Sequence, residues 1–239
     1  SLHYRTHGGQ ISPVIIRTRG HWLEGIWHSG SPMGMIIHGT RGVNLCVPRD
    51  MTKAAGFYNT LMASNEPAMV IECLNGYRVK EKLPTNMGEF RTPLGIPETT
   101  KEGSDVTVVS YGSTWRIVME AAKQLEDLDI SVEVIDVQTL VPLDINKQMV
   151  NSVKKTNRLL VVDEDVPGGA SAYIMQNIIE DQKGFFHLDS EPQTLAAKAH
   201  RPAYGKDGDY FSKPSVEDVV EKVYKMMNDV NPEKFPNIY

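Results

Sequence analysis

From Asp105 to Met227, short apolar runs alternate with stretches whose apolar residues recur at helical spacing. A chain written this way can bury itself in few arrangements. Val106-Thr107-Val108-Val109-Ser110-Tyr111 predicts a strand, Gly112-Ser113 a turn, and Ser113 or Thr114 a cap for a helix that carries Ile117, Val118, Ala121, Ala122 and Leu125 on one face. Val132 to Val137 predicts the next strand. Asp144 is placed to cap a helix with Ile145, Met149, Val150 and Val153 inward. Arg158 to Val162 predicts a third strand. It ends in Asp163-Glu164-Asp165, and Pro167-Gly168-Gly169 leads into a helix through Tyr173, Ile174, Ile178 and Ile179. Thr194 to Ala199 predicts one more strand. Ser215 and Asp218 form a capping box before a helix with Val219, Val220, Val223 and Met227 on one side. Strands alternating with helices predict a doubly wound α/β domain with a mostly parallel sheet.

Upstream the same alternation is shorter. Val14 to Arg17 reads as a buried strand, Ser31-Pro32-Met33-Gly34-Met35 as the start of a short helix, and Val43 to Val47 as another strand. Asp50 is placed to cap a helix over 51–63, which Asn65-Glu66-Pro67 ends, and Ala68 to Cys73 returns as a strand. Residues 76–104 mix charge with Pro84, Pro93, Pro97 and Gly103 and show no sustained period, as expected of a connection laid along the surface. The predicted organisation is therefore a first unit at 1–75, a connection at 76–104 and a second unit at 105–239.

Composition narrows the function classes. The 239 residues carry a net charge of −5 with a sequence pI near 5.8, so no basic footprint for nucleic acid is present. No apolar run is long enough to cross a bilayer. Cys46 and Cys73 are too few for a disulfide scaffold, which points to a reduced, cytoplasmic setting. The opening Ser1-Leu2-His3-Tyr4-Arg5 has no apolar signal core and no initiator Met, so a start inside a longer protein is expected. His3 and His7 do not make a zinc site, because Gly8-Gly9 follows and no further ligand completes a set.

Chemistry concentrates in Gly25-Ile26-Trp27-His28-Ser29-Gly30-Ser31, a loop after the first strand. A histidine there can give and take protons near neutral pH, although a surface loop with an incidental histidine has the same local signature. His38 lies ten residues on and suits either the pocket or packing. His21, His187 and His200 have no motif behind them. Asp163-Glu164-Asp165 is expected to be a solvated charge cluster or a partner contact. Gly168-Gly169 is expected to be a tight turn, because the acids before it would repel a phosphate.

Taken in order, Pro13-Val14-Ile15-Ile16-Arg17, His28-Ser29-Gly30-Ser31, His38, Pro48, Ala54-Ala55-Gly56 and Pro67 to Glu72 form one half of a larger pattern. Gly103 to Gly112, Val132 to Val137, Thr139, Pro142-Leu143-Asp144, Ser152 to Leu159 and Gly168-Gly169 form the other. The chain resembles the beta subunit of the thiamine-diphosphate-dependent 2-oxoacid dehydrogenases, those acting on pyruvate or branched-chain 2-oxoacids, and more distantly transketolase. The resemblance covers nearly all of residues 10–228. Departures are Gly30, where glutamine is usual, and Thr40-Arg41-Gly42-Val43, where the family has Pro-Gly-Leu.

The resemblance implies the last part of a pyrimidine-binding α/β domain, followed by a complete three-layer transketolase C-terminal domain. It implies oxidative decarboxylation of a 2-oxoacid and acyl transfer to a lipoyl group, with His28 as the active-site proton donor and Ser29 orienting it. Thiamine diphosphate with magnesium serves the complete enzyme and is not expected to bind this chain alone. The implied partners are an alpha-type portion, either a separate subunit or a fused upstream half, a lipoyl acyltransferase, and a second copy paired through 105–239. A structural potassium held by carbonyls of Val14, Leu61, Met62, Ser64 and Glu66 is a further implication, with Ser64 where an aspartate is usual. The alternatives are a transketolase-like carbon transferase and a non-catalytic dimerisation or docking module.

Overall fold

The computed structural model describes residues 5–7, 9–10, 12–21, 31–200, 204 and 207–237. Its nine strands among these residues are β1 (Ile15–His21), β2 (Asn44–Cys46), β3 (Ala68–Cys73), β4 (Glu98–Lys101), β5 (Val106–Ser110), β6 (Val132–Asp136), β7 (Thr139–Val141), β8 (Leu159–Val162) and β9 (Gln193–Leu195). The helices are α1 (Met33–Gly39), α2 (Met51–Met62), α3 (Thr114–Glu126), α4 (Gln148–Thr156), α5 (Ala170–Gln176), α6 (Gly208–Ser212) and α7 (Val216–Val230).

Two sheets form. The first has the order β1-β3-β2-β7 and the second β4-β6-β5-β8-β9. Pairing is parallel except where β7 meets β2 and β4 meets β6. One apolar cluster joins Leu45 and Ile71 of the first sheet to Val109 and Ile135 of the second, through Met33 and Ile36 of α1, Met149 and Val153 of α4, and Ile174 of α5. A second cluster seats α3 and α7 on the far side of β5, β6 and β8. A third seats α2 on the outer face of β2 and β3. Among the described residues no helix is long and apolar enough to cross a membrane.

Local chemistry explains most element ends. Asp50 accepts a hydrogen bond from the Lys53 N–H at 2.7 Å, and Ser215 and Asp218 make the reciprocal capping box. Asp144 caps α4 from farther upstream than the spacing predicts, accepting from the Gln148 and Met149 N–H groups at 2.7 and 2.9 Å. Ile145, expected inward, is therefore on the turn before the helix and is exposed. Ser113 stands at the N-cap of α3, but its hydroxyl bonds Asn75 Oδ1 at 2.5 Å instead of the helix. The chain from Met87 to Thr92 is laid over α2: Asn59 donates to the Met87 and Phe90 carbonyls, and Thr60 to that of Thr92. A Cβ on Gly56 would lie 2.2 Å from Thr92 Oγ1, so only glycine lets that segment cross so closely.

Three findings depart from the sequence reading. Val14 to Arg17, expected to be buried, lead into an edge strand that pairs only with β3 among the described residues, and Val14 and Ile16 are nearly half exposed. A strand, β4, lies inside the 76–104 connection and belongs to the second sheet. A short strand, β7, leaves the second sheet to extend the first.

The seam between the sheets is held by Arg49. Its guanidinium reaches Asp136 Oδ2 and Glu98 Oε2, both at 2.7 Å, and lies over the Trp115 ring. Asp136 is fully buried, and burial pushes its carboxyl up to about 6 even beside this cation. Arg49→Met leaves that carboxyl without its cation and should destabilise the chain by about 3–5 kcal/mol at neutral pH. In the variant Asp136 titrates higher still. The charge-dependent part of the loss is therefore full above that value, fades as pH falls, and is gone below about 6, where the acid is neutral in both proteins. Urea melts at pH 8 and pH 5.5 check this: a loss under 1 kcal/mol, or one equal at both pH values, refutes it.

Candidate functional site

Parallel pairing puts the carboxyl ends of β1, β2 and β3 on one edge of the first sheet, the edge where α/β sheets commonly hold ligands. The chain leaves β1 there and re-enters the described structure at Ser31. His28 and Ser29 lie in between, outside the described residues. Both flanks of that segment are fixed. A Cβ on Gly20 would sit 2.9 Å from Ile71 Cγ2 and 3.3 Å from Pro32 Cγ, so the departing strand and the returning chain are in contact.

The returning chain opens α1. Pro32 occupies the N-cap position and supplies no capping side chain. The Met33 N–H points to Ser31 Oγ at 3.4 Å, and the Gly34 N–H donates to Asp165 Oδ2 at 3.2 Å. Asp165 follows β8, 131 residues away in sequence. Its other oxygen accepts from the Val166 N–H at 2.8 Å. Beside it, Asp163 accepts from Tyr111 Oη at 2.6 Å, from the Ser171 N–H at 2.8 Å and from the Asp165 N–H at 3.0 Å. Burial, and then the Asp163 charge, hold the Tyr111 phenol well above its ordinary pKa. Glu164 is buried with Lys213, their charged atoms 3.7 Å apart. The acidic triplet is thus not the solvated cluster its composition suggests: all three side chains are buried. Gly168, at φ +91°, makes the expected turn.

The other candidates fall elsewhere. His38 is exposed in the last turn of α1. The carbonyl set lies at the opposite end of the sheet. Val14 O accepts from the Ala68 N–H at 2.9 Å, Leu61 O from the Ser64 N–H at 3.0 Å, and Ser64 Oγ from the Glu66 N–H at 3.0 Å. Glu66 Oε2 accepts from Asn44 at 3.0 Å, and Met62 is exposed. The strand register brings Val14 beside the Pro67–Ala68 junction, so these residues share a neighbourhood.

Sequence reasoning missed a second polar centre. Glu72, nearly buried on β3, accepts from Arg17 Nε at 2.9 Å, from Tyr58 Oη at 2.5 Å and from Tyr77 Oη. Burial alone would raise this carboxyl, but the Arg17 and phenol hydrogen bonds outweigh it and hold it below the ordinary range. Tyr58 is pushed up in turn, by burial first and then by that carboxylate. The only signal in the sequence was an acid inside an apolar strand.

A diphosphate group does not fit the glycine turn that opens α5. That turn is filled by acid: a Cβ on Gly169 would lie 2.3 Å from Asp165 Oδ2. Among the described residues no group of three or more His, Cys, Asp and Glu side chains is placed to hold a metal ion.

Comparison with known proteins places this geometry. Residues 96–213 match the transketolase C-terminal domain. The chain is 38% identical over 174 residues to the mitochondrial 2-oxoisovalerate dehydrogenase subunit beta of Chaetomium thermophilum, covering 72% of this chain and 36% of that protein. It is 31% identical over 190 residues to the pyruvate dehydrogenase E1 component subunit beta of Acholeplasma laidlawii, covering 79% and 57%. The chain therefore spans less than two thirds of the length of these relatives. Among solved structures, a split-gene transketolase described as an inactive beta4 tetramer superposes with a TM-score of 0.71 over 90% of this chain and 66% of the other, at 21% identity, a likeness of fold.

Both cysteines are buried, and burial pushes each thiol up to about 12. Neither should react with a thiol reagent at pH 8 in native buffer, whereas both should react in denaturing urea. Fast native labelling at either position would show that the β2–β3 region opens on its own.

Proposed function

Taking as premise that the chain belongs to the transketolase superfamily, on its 2-oxoacid dehydrogenase beta-subunit branch, we propose that it is the beta-type portion of such a dehydrogenase. The proposed reaction is oxidative decarboxylation of a 2-oxoacid with transfer of the acyl group to a lipoyl acceptor. One observation carries this reading: the segment holding His28 leaves and rejoins the fold at the carboxyl edge of a parallel sheet, with both flanks fixed through Gly20, Pro32 and Gly34.

In this reading His28 holds and delivers the proton that the opening dithiolane sulfur takes up, and Ser29 orients the imidazole. A positioned acid of this kind contributes roughly 10²–10⁴ in rate. Thiamine diphosphate supplies the electron sink when bound. In this reading the alpha-type portion holds the diphosphate and magnesium end of the cofactor. His38, exposed at the far end of α1, is left as a pocket-edge residue. We retain the potassium reading for the carbonyls of Val14, Leu61, Met62, Ser64 and Glu66, where an ion would brace the amino end of β1 against the end of α2. Residues 105–239 are proposed to pair two copies and to face a lipoyl acyltransferase, in a cytoplasmic complex.

The test is dye reduction by this chain assembled with its alpha-type portion, thiamine diphosphate and magnesium, over a panel of pyruvate, branched-chain 2-oxoacids, 2-oxoglutarate and acetoin. Turnover of one class is expected. His28→Ala should cut lipoyl-linked turnover at least ~100-fold. Silence across the panel from a folded, assembled complex would overturn the reading. Turnover of sugar phosphates without a lipoyl acceptor would move it to a carbon transferase, and turnover indifferent to His28 would remove the residue assignment.

A further inference from the structure

We propose that Phe185 and Phe186 anchor the contact through which two copies of this chain pair. The inference rests on the reading that residues 105–239 pair two copies, and it names the surface that does so.

A large aromatic side chain left in water forfeits the burial that stabilises a core, so an exposed pair on a fixed turn calls for a partner. Phe57 and Phe235 are buried, whereas Phe185 and Phe186 are 64% and 78% exposed side by side. Their rings meet edge to face with centroids 5.7 Å apart. The turn that carries them is fixed from several directions. After α5 the helix widens: the Gln182 N–H donates to Asn177 O, five residues back, at 2.9 Å. The Gln182 side chain donates to Asn177 Oδ1 at 2.7 Å and to Asp144 Oδ2 at 3.0 Å. A Cβ on Gly184 would lie 2.6 Å from Ile178 O, so the turn closes directly on that helix. On the other side Asn157 donates to His187 O at 2.8 Å, and its own carbonyl accepts from the Asp189 N–H at 3.0 Å. A rigid frame therefore presents the rings to solvent. An aromatic anchor held this way loses little freedom on binding.

The charges around the pair select the occupant. Glu180 and Asp181 lead into the turn, and Lys183 follows them. α4, packed against the turn, exposes Lys154. Within the chain Glu180, Asp181 and Lys154 meet the side-chain amides of Gln176, Asn177 and Asn151. A patch that meets its own copy across a two-fold axis must be self-complementary. A rim of one sign repels its copy. This rim carries both signs, so acid can meet base on each side, whereas a partner of strong single charge would be opposed by half of it. The rings expose on the order of 300 Å² between them, about a third of the ~800 Å² that each side of a standard interface buries. They form the centre of the contact and the charged residues its rim.

Sedimentation equilibrium of the full chain, without substrate or cofactor, tests this surface whether or not the dehydrogenase reading holds. A concentration-dependent dimer is expected. Phe185→Ser combined with Phe186→Ser should weaken it at least ~100-fold with unchanged far-ultraviolet circular dichroism, because neither ring belongs to a core cluster. Two charge variants test the occupant without touching the rings. Glu180→Lys with Asp181→Lys makes the rim basic, and Lys154→Glu with Lys183→Glu makes it acidic. Each should self-pair about tenfold more weakly than the parent, and a mixture of the two should pair as tightly as the parent. A monomer at all concentrations, a dimer indifferent to the Phe variant, or charge variants that fail to pair in mixture would each overturn the proposal. So would a dimer left intact by the Phe variant while binding of the alpha-type portion or of a lipoyl acyltransferase is lost, which would give the surface to that partner. If the Phe variant unfolds, the charge variants decide the matter alone.

Discussion

The arrangement depends on one crossing. After β6 the chain turns at Gln138, whose φ is +62°, and β7 pairs with β2 of the other sheet. Two sheets that could each have closed their own core instead share α1, α4 and α5 between them. A shared core needs its seam closed, because backbone polar groups at the junction leave water together with the apolar side chains. Gln138 O accepts from the Val47 N–H, Gln138 Nε2 donates to Ile96 O, and Thr139 Oγ1 accepts from the Gly95 N–H. Arg49 completes the closure with Asp136 and Glu98. Replacing a charged seam by apolar residues is often no loss in stability, but this one fixes geometry. Its fork joins β4 and β6 to the chain just before α2.

The first sheet takes its polarity from its three parallel strands. With β1, β2 and β3 parallel, all their carboxyl ends lie at one edge and all their amino ends at the other. The His28 segment leaves from the first edge, and the Val14–Glu66 carbonyl neighbourhood sits at the second. The second sheet meets the first edge through the turn after β8. That edge is therefore built by two parts of the chain more than a hundred residues apart.

What the sequence disclosed follows from the range of each interaction. Elements with a strong pattern of their own were legible: β3 as the apolar run Ala68–Cys73, and α2 with its Asp50 cap and α7 with its Ser215–Asp218 box, whose caps are set by contacts a few residues apart. β4 and β7 were not legible, because Glu98-Thr99-Thr100-Lys101 and Thr139-Leu140-Val141 have too little pattern of their own and are strands only because a partner strand lies beside them. The acidic triplet was misread for the same reason. Three consecutive acids look solvated until Tyr111, Ser171, Lys213 and Gly34 are brought to them. Nothing in the sequence pattern disclosed that Asp165 accepts from the start of α1.

β1 poses the remaining physical question: how an edge strand is held with a hydrogen-bonded neighbour on one side only among the described residues. Side chains replace the missing ladder. Arg17 on β1 grips Glu72 on β3, and Glu72 also takes Tyr58 of α2 and Tyr77 from the turn after β3. One carboxylate thus ties strand, neighbour, helix and turn together. Because its folded pKa is depressed, this contribution is present above the ordinary glutamate value near ~4.3 and is lost only as pH falls through the lower folded value, so it is complete at neutral pH. The strand that delivers the chain into the His28 segment is held by Glu72, and the helix that receives it by Asp165. Both are carboxylates, but they work differently. Glu72 gathers donors from its own sheet and the neighbouring helix, whereas Asp165 reaches across from the other sheet. The way out of β1 is therefore a property of the first sheet, while the way into α1 depends on how the two sheets are docked.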